Sequence, residues 1–114
     1  LIQAIIKGGK KMIKNITNAK EFNDILQSSK GKVIVDFYAD WCGPCKMQAP
    51  VLDEFSKKMP ETMILKVNVD QNVELAEAHA IMSIPTMMVF TTGKQTYKKP
   101  GFHAIAALEN LLKS

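Results

Sequence analysis

Arginine is absent: all fifteen cationic side chains are lysine, against eleven acidic ones, for a net charge of +4. Recognition of phosphates and guanine edges leans on the bidentate guanidinium fork, so no nucleic-acid partner is expected. Lys7, Lys10 and Lys11 precede Met12, and beyond that point cations and anions nearly balance, which leaves no basic face. Long apolar runs are missing as well; none approaches the roughly 20 residues that span a bilayer, so no membrane association is expected. Cysteine is scarce, with Cys42 and Cys45 the only two. A bridge between them closes too small a loop to staple a secreted scaffold, so the pair reads as reactive rather than structural. Histidine is limited to His79 and His103, in separate segments without ligand spacing. A zinc site normally takes four ligands, so no metal is expected, and both histidines read as solvated helix residues.

The 114 residues suit one hydrophobic core. Residues 1–11 place an apolar stretch before a glycine pair and lysines, the reverse of a secretory signal, and lack the Arg- and Ser-rich character of a transit peptide. They are read as an N-terminal extension or a leftover of expression, with the domain itself at 12–114.

From Met12 onward, strand and helix signals alternate. A short strand is expected at 12–16. A helix follows with Asn18 as N-cap and Glu21 three residues later, each taking the other's free backbone donor, and with Phe22, Ile25 and Leu26 on one face. Gly31 ends it. Residues 32–38 are rich in β-branched and aromatic side chains, the composition of a strand buried on both faces. Met47, Val51, Leu52, Phe55 and Met59 recur at helical spacing, which puts Cys45 in a first turn and Pro50 where it should bend the helix near Lys46. Further elements are expected as a strand at 62–69, a helix at 72–80, a hairpin of 86–90 with 95–99 around Gly93, and an amphipathic helix at 104–113. The methionines of these segments read as core filler. The sum is an α/β fold: a mixed central sheet of about five strands flanked by about four helices.

Trp41-Cys42-Gly43-Pro44-Cys45 thus lies between a buried strand and a helix start. Unpaired N–H groups and the positive end of the helix dipole stabilise a thiolate there, which lowers the pKa of the first cysteine. Cys42, the more exposed, is expected to attack a substrate disulfide and Cys45 to resolve the mixed disulfide.

The segment Trp41-Cys42-Gly43-Pro44-Cys45-Lys46 resembles the active site of the thioredoxin family. Val35-Asp36-Phe37-Tyr38-Ala39 before it and Ser83-Ile84-Pro85-Thr86 after it extend the resemblance to nearly the whole chain from Met12. The resemblance implies a thioredoxin fold and a disulfide reductase of client proteins, monomeric and cytoplasmic. It also implies no cofactor of the protein's own and recharging by a flavin- and NADPH-dependent thioredoxin reductase. Asp36 then corresponds to the family's buried acid, which takes the proton of Cys45, and Lys66 to that acid's partner. Pro85 corresponds to the family's cis proline. Ile84 offers its main chain to an extended client, and Trp41, Gly43, Pro44, Gly101 and Ala104 surround the docking surface. Tyr38 stands where the family usually has tryptophan, and Lys98 and Lys99 suggest a bias towards acidic clients. Two alternatives share the fold: a non-enzymatic binding module, and an oxidase or isomerase, which typically carries a histidine between its cysteines.

Overall fold

A computed structural model describes residues 12–113, and the expected extension at 1–11 lies outside the described residues. The chain runs β1 (Ile13–Asn15), α1 (Ala19–Ser28), β2 (Lys32–Tyr38), α2 (Gly43–Lys58), β3 (Met63–Asn68), α3 (Val73–Ala78), β4 (Thr86–Thr91), β5 (Lys94–Pro100) and α4 (Ile105–Leu111). The strands form one sheet in the order β1-β3-β2-β4-β5. β3 pairs parallel with both β1 and β2, whereas β4 is antiparallel to β2 and β5. This is the mixed five-stranded sheet flanked by helices that the alternating pattern predicts. No helix of the described residues is long and apolar enough to cross a membrane.

The two-residue period of a strand divides the core in two. Val33, Val35 and Phe37 of β2 join Phe22 and Leu26 of α1 and Leu75 of α3 on one face. Ile34 joins Leu52 and Phe55 of α2 and Leu108 of α4 on the other. Asp36, two residues after Ile34, therefore points to the α2 side, and it is 1 % exposed. That alternation carries a carboxylate beneath the helix that begins at the cysteines.

Several local expectations change. Asn18 caps α1 by accepting from the Glu21 N–H at 2.8 Å, but Glu21 returns to the Thr17 N–H at 2.9 Å and to the Lys14 ammonium at 3.0 Å, one step short of a reciprocal pair. Pro50 lies inside the one continuous helix α2, where it removes the donor that the Lys46 carbonyl would have met. Its buried side chains are Cys45, Gln48, Leu52, Phe55 and Ser56, so Met47 faces solvent at 63 % exposure instead of filling the core. Met87 and Met88 are fully buried as expected. The histidines are not solvated helix residues. His79, at the end of α3, packs its ring against those of Phe22, Phe37 and Phe90. His103 is buried ahead of α4. Thr92 and Gly93 turn the β4–β5 hairpin with φ of 51° and 83°, the left-handed pair that matches strand twist in a two-residue turn.

Candidate active site

Cys42 is the N-cap of α2, the longest helix, with φ −88° and ψ 117°. Its Sγ accepts from the Cys45 N–H at 3.3 Å, so one of the free donors of the first turn is aimed at sulfur. Pro44 within that turn lacks an N–H that would have gone unpaired there anyway. Cys42 and Cys45 form a disulfide, with their Cα atoms 5.2 Å apart. Both cysteines are 5 % exposed, so Cys42 is not the more accessible of the two while they are bonded. Both pack with Ala39 against Tyr38, Val69 and Ile84.

Trp41 is 69 % exposed rather than buried in the core, and its indole N–H donates to Asp70 Oδ2 at 2.9 Å, which holds the ring at the surface. With Val69, Ala76, Ile81, Met82, Ser83 and Ile84 it lines a shallow groove of about 360 Å³. Met82, 93 % exposed, belongs to this groove, and in the sequence only its place two residues before Ile84 marks it. The Ile84–Pro85 peptide bond is cis. The Ile84 carbonyl oxygen lies 3.8 Å from Cys42 Sγ, and the Pro85 carbonyl accepts from the Gly101 N–H at 2.7 Å. Gly101 has a φ of 104°, a conformation that favours glycine. Gly43, Gly101 and Ala104 are exposed and Ile84 is half-buried. Phe37 of β2 pairs with Thr86 of β4 and Thr86 with Pro100 of β5, so Trp41, Ile84, Gly101 and the cysteines fall at one end of the sheet.

Behind the disulfide, burial pushes the Asp36 carboxyl up from its ordinary 3.8 to about 6, while the Lys66 ammonium pulls the other way. Asp36 Oδ1 is buried without a hydrogen-bond partner. Lys66 is the register partner of Asp36 on β3, and its ammonium sits 4.7 Å from the centre of the Tyr38 ring. Tyr38, Ala39, Asp40, Cys45, Lys46, Ala49 and Lys66 line a pocket of about 200 Å³ that reaches Cys45. The Lys98 ammonium donates to the carbonyls of His79 and Ala80 at 2.7 and 3.0 Å, closing the C-terminal end of α3, and both Lys98 and Lys99 remain at the surface. Among the described residues no group of three or more His, Cys, Asp or Glu is arranged to hold a metal ion.

A dithiol pair that forms a disulfide at a strand-to-helix junction, with a backbone donor on the leading sulfur, defines a thiol–disulfide oxidoreductase. The sequence model of the thioredoxin family matches residues 13–114. Thioredoxin of Mycoplasmoides gallisepticum is 43 % identical over 101 residues, covering 89 % of this chain and all of that protein. The solved thioredoxin of Plasmodium falciparum superposes with a TM-score of 0.80 at 38 % identity, covering 88 % of this chain and 96 % of that one. A bifunctional thioredoxin reductase/thioredoxin of Mycobacterium leprae is 45 % identical over 94 residues, 82 % of this chain and 20 % of that protein. The chain belongs to the thioredoxin family, and it is a protein-disulfide reductase that works through the redox-active Cys42–Cys45 pair.

Proposed function

We propose that in this reductase Cys42 attacks and Cys45 resolves. The Cys42 thiolate bonds to one sulfur of a client disulfide, and the other client sulfur leaves as a thiolate that takes a proton from water. Asp36, largely ionised at pH 7, accepts the Cys45 proton. The Cys45 sulfur then bonds to Cys42 and releases the second client sulfur as a thiolate, which also takes a proton from water, so that two electrons pass to the client and the protein keeps the internal disulfide. Lys66 moderates the affinity of Asp36 for that proton. The observation that carries the assignment is the Cys45 N–H directed at Cys42 Sγ from the first turn of a 16-residue helix. Such a donor stabilises negative charge on Cys42 and offers nothing comparable to Cys45.

Trp41, Gly43, Pro44, Ile84, Pro85 and Gly101 form the surface on which an extended client segment lies, pairing with the main chain of Ile84. Support comes from the exposed Trp41 face and from the Ile84 carbonyl beside the sulfur. A thioredoxin reductase is the electron donor, a relationship suggested by the Mycobacterium leprae relative that carries both names on one chain. The unit that acts is the domain 12–114, a monomer of the cytoplasm. The experiment is insulin reduction by dithiothreitol: the unmodified protein accelerates it and Cys42→Ser abolishes the acceleration, whereas equal rates with both would reject the assignment.

A further inference from the structure

Gln48 is the only amide side chain fully buried in α2, one turn beyond Cys45. Both ends of its amide are engaged by the backbone of one residue: Nε2 donates to the His103 carbonyl at 2.9 Å, and Oε1 accepts from the His103 N–H at 2.8 Å. The His103 ring is 5 % exposed, with the Gly101 carbonyl 2.9 Å from Nδ1 and the Tyr97 hydroxyl 2.9 Å from Nε2. A carbonyl only accepts, so Nδ1 carries the proton and Nε2 accepts from Tyr97. Burial, aided by Lys99 and opposed by the Gly101 contact, holds the His103 pKa below its ordinary 6.5, which favours the neutral ring.

These bonds close a circuit around the sulfur. From Cys42 and α2 it passes through Gln48 to the His103 backbone, through the ring to the Gly101 carbonyl, and from the Gly101 N–H to the Pro85 carbonyl. It returns through the Ile84 carbonyl, 3.8 Å from Cys42 Sγ. An apolar side chain at position 48 would fill comparable space but allow the segment to slide. A paired amide fixes it in one register, because any displacement strands a buried donor or acceptor.

We infer that Gln48 and His103 are positioning residues for client docking: they lock the Gly101 segment to the cysteine helix, so that the backbone receiving the client keeps a fixed offset from Cys42. This rests on the reading that Ile84, Pro85 and Gly101 receive the client. A small disulfide has no extended backbone to pair, so its reduction needs the sulfurs but not the clamp.

The test compares insulin with hydroxyethyl disulfide as substrates, using variants shown to be folded by circular dichroism. Gln48→Met keeps length and loses both bonds, and His103→Leu loses the ring bonds. His103→Asn keeps a donor at the Nδ1 position for Gly101. For Gln48→Met and His103→Leu the insulin KM should rise about tenfold, the scale of losing one or two buried hydrogen bonds. Their insulin kcat and hydroxyethyl disulfide rate should stay within about twofold of the unmodified protein, and His103→Asn should restore most of the insulin KM. A parallel fall with both substrates, or no change with either, would overturn the inference. Trp41→Ala separates the two failures: if it raises the insulin KM and Gln48→Met does not, the docking surface stands and the clamp falls. If neither raises it, both fall.

Discussion

Replacing Asp36 by asparagine removes a charge that folding must strip of water. The carboxyl is 1 % exposed, its Oδ1 has no hydrogen-bond partner, and burial raises its pKa from 3.8 to about 6. A rise of that size corresponds to about 3 kcal/mol, at roughly 1.4 kcal/mol per pH unit. The sign follows from proton linkage. Well below pH 3.8 the group is protonated both folded and unfolded and contributes nothing to the balance. Between pH 4 and 6 the folded state binds the proton more tightly, so stability falls as pH rises, and above 6 the full loss persists. The asparagine variant lacks this dependence. Urea unfolding of the oxidised protein at pH 4 and pH 8 measures it. Asp36→Asn should gain about 2 to 3 kcal/mol on the unmodified protein at pH 8, roughly 10 °C or more in Tm for a domain of this size, and little at pH 4. A gain of equal size at both pH values would mean that packing, not charge, is responsible, and no gain at pH 8 would mean that burying the charge costs the fold nothing. An acid that lowers stability at neutral pH while lying under the cysteine helix is what a proton acceptor for Cys45 requires.

Two further outcomes follow from the same geometry. Lys66→Met removes the cation that holds the Asp36 pKa down, so the Asp36 carboxyl, followed by NMR, should titrate above its present value of about 6; an unchanged or lower midpoint would contradict the through-space effect. Cys45→Ser leaves the attacking sulfur without a resolver, so mixing the reduced variant with an insulin disulfide should build up a mixed disulfide through Cys42. Mass spectrometry would detect it, and its absence would reverse the assigned order of the sulfurs.

The layout of the fold was legible wherever burial imposes a period. β2 occupies the expected residues, Lys32–Tyr38, because a strand packed on both faces must be apolar almost throughout. Asp36 stands out in it for the same reason. The placement of Cys42 and Cys45 at a helix start followed from the apolar spacing of Leu52 and Phe55 beyond them. Met47 was misjudged because hydrophobicity says which side chain gains from burial, not which one the helix turns inward. Gln48 takes the inward place because the His103 backbone satisfies its amide, a partner 55 residues away that no local pattern announces. His79 and His103 were misread alike, since three phenylalanine rings and a tyrosine hydroxyl meet them only after the sheet has formed. Lys98 is surface charge, as its sequence position suggests, but its contact with the open carbonyls at the end of α3 depends on the hairpin and is invisible locally. The isomer of Pro85 could be anticipated only from the resemblance, because local sequence separates cis from trans by too little energy.

The proposed mechanism requires Cys42 to be a stabilised thiolate at the head of α2. The direct measurement is the pH dependence of iodoacetamide alkylation at Cys42 in the fully reduced protein, with the modified residue located by peptide mapping. The half-maximal rate should fall well below pH 8.5, the value for an unperturbed cysteine, with Cys45 modified far more slowly. A midpoint at or above 8.5, or preferential labelling of Cys45, would contradict it.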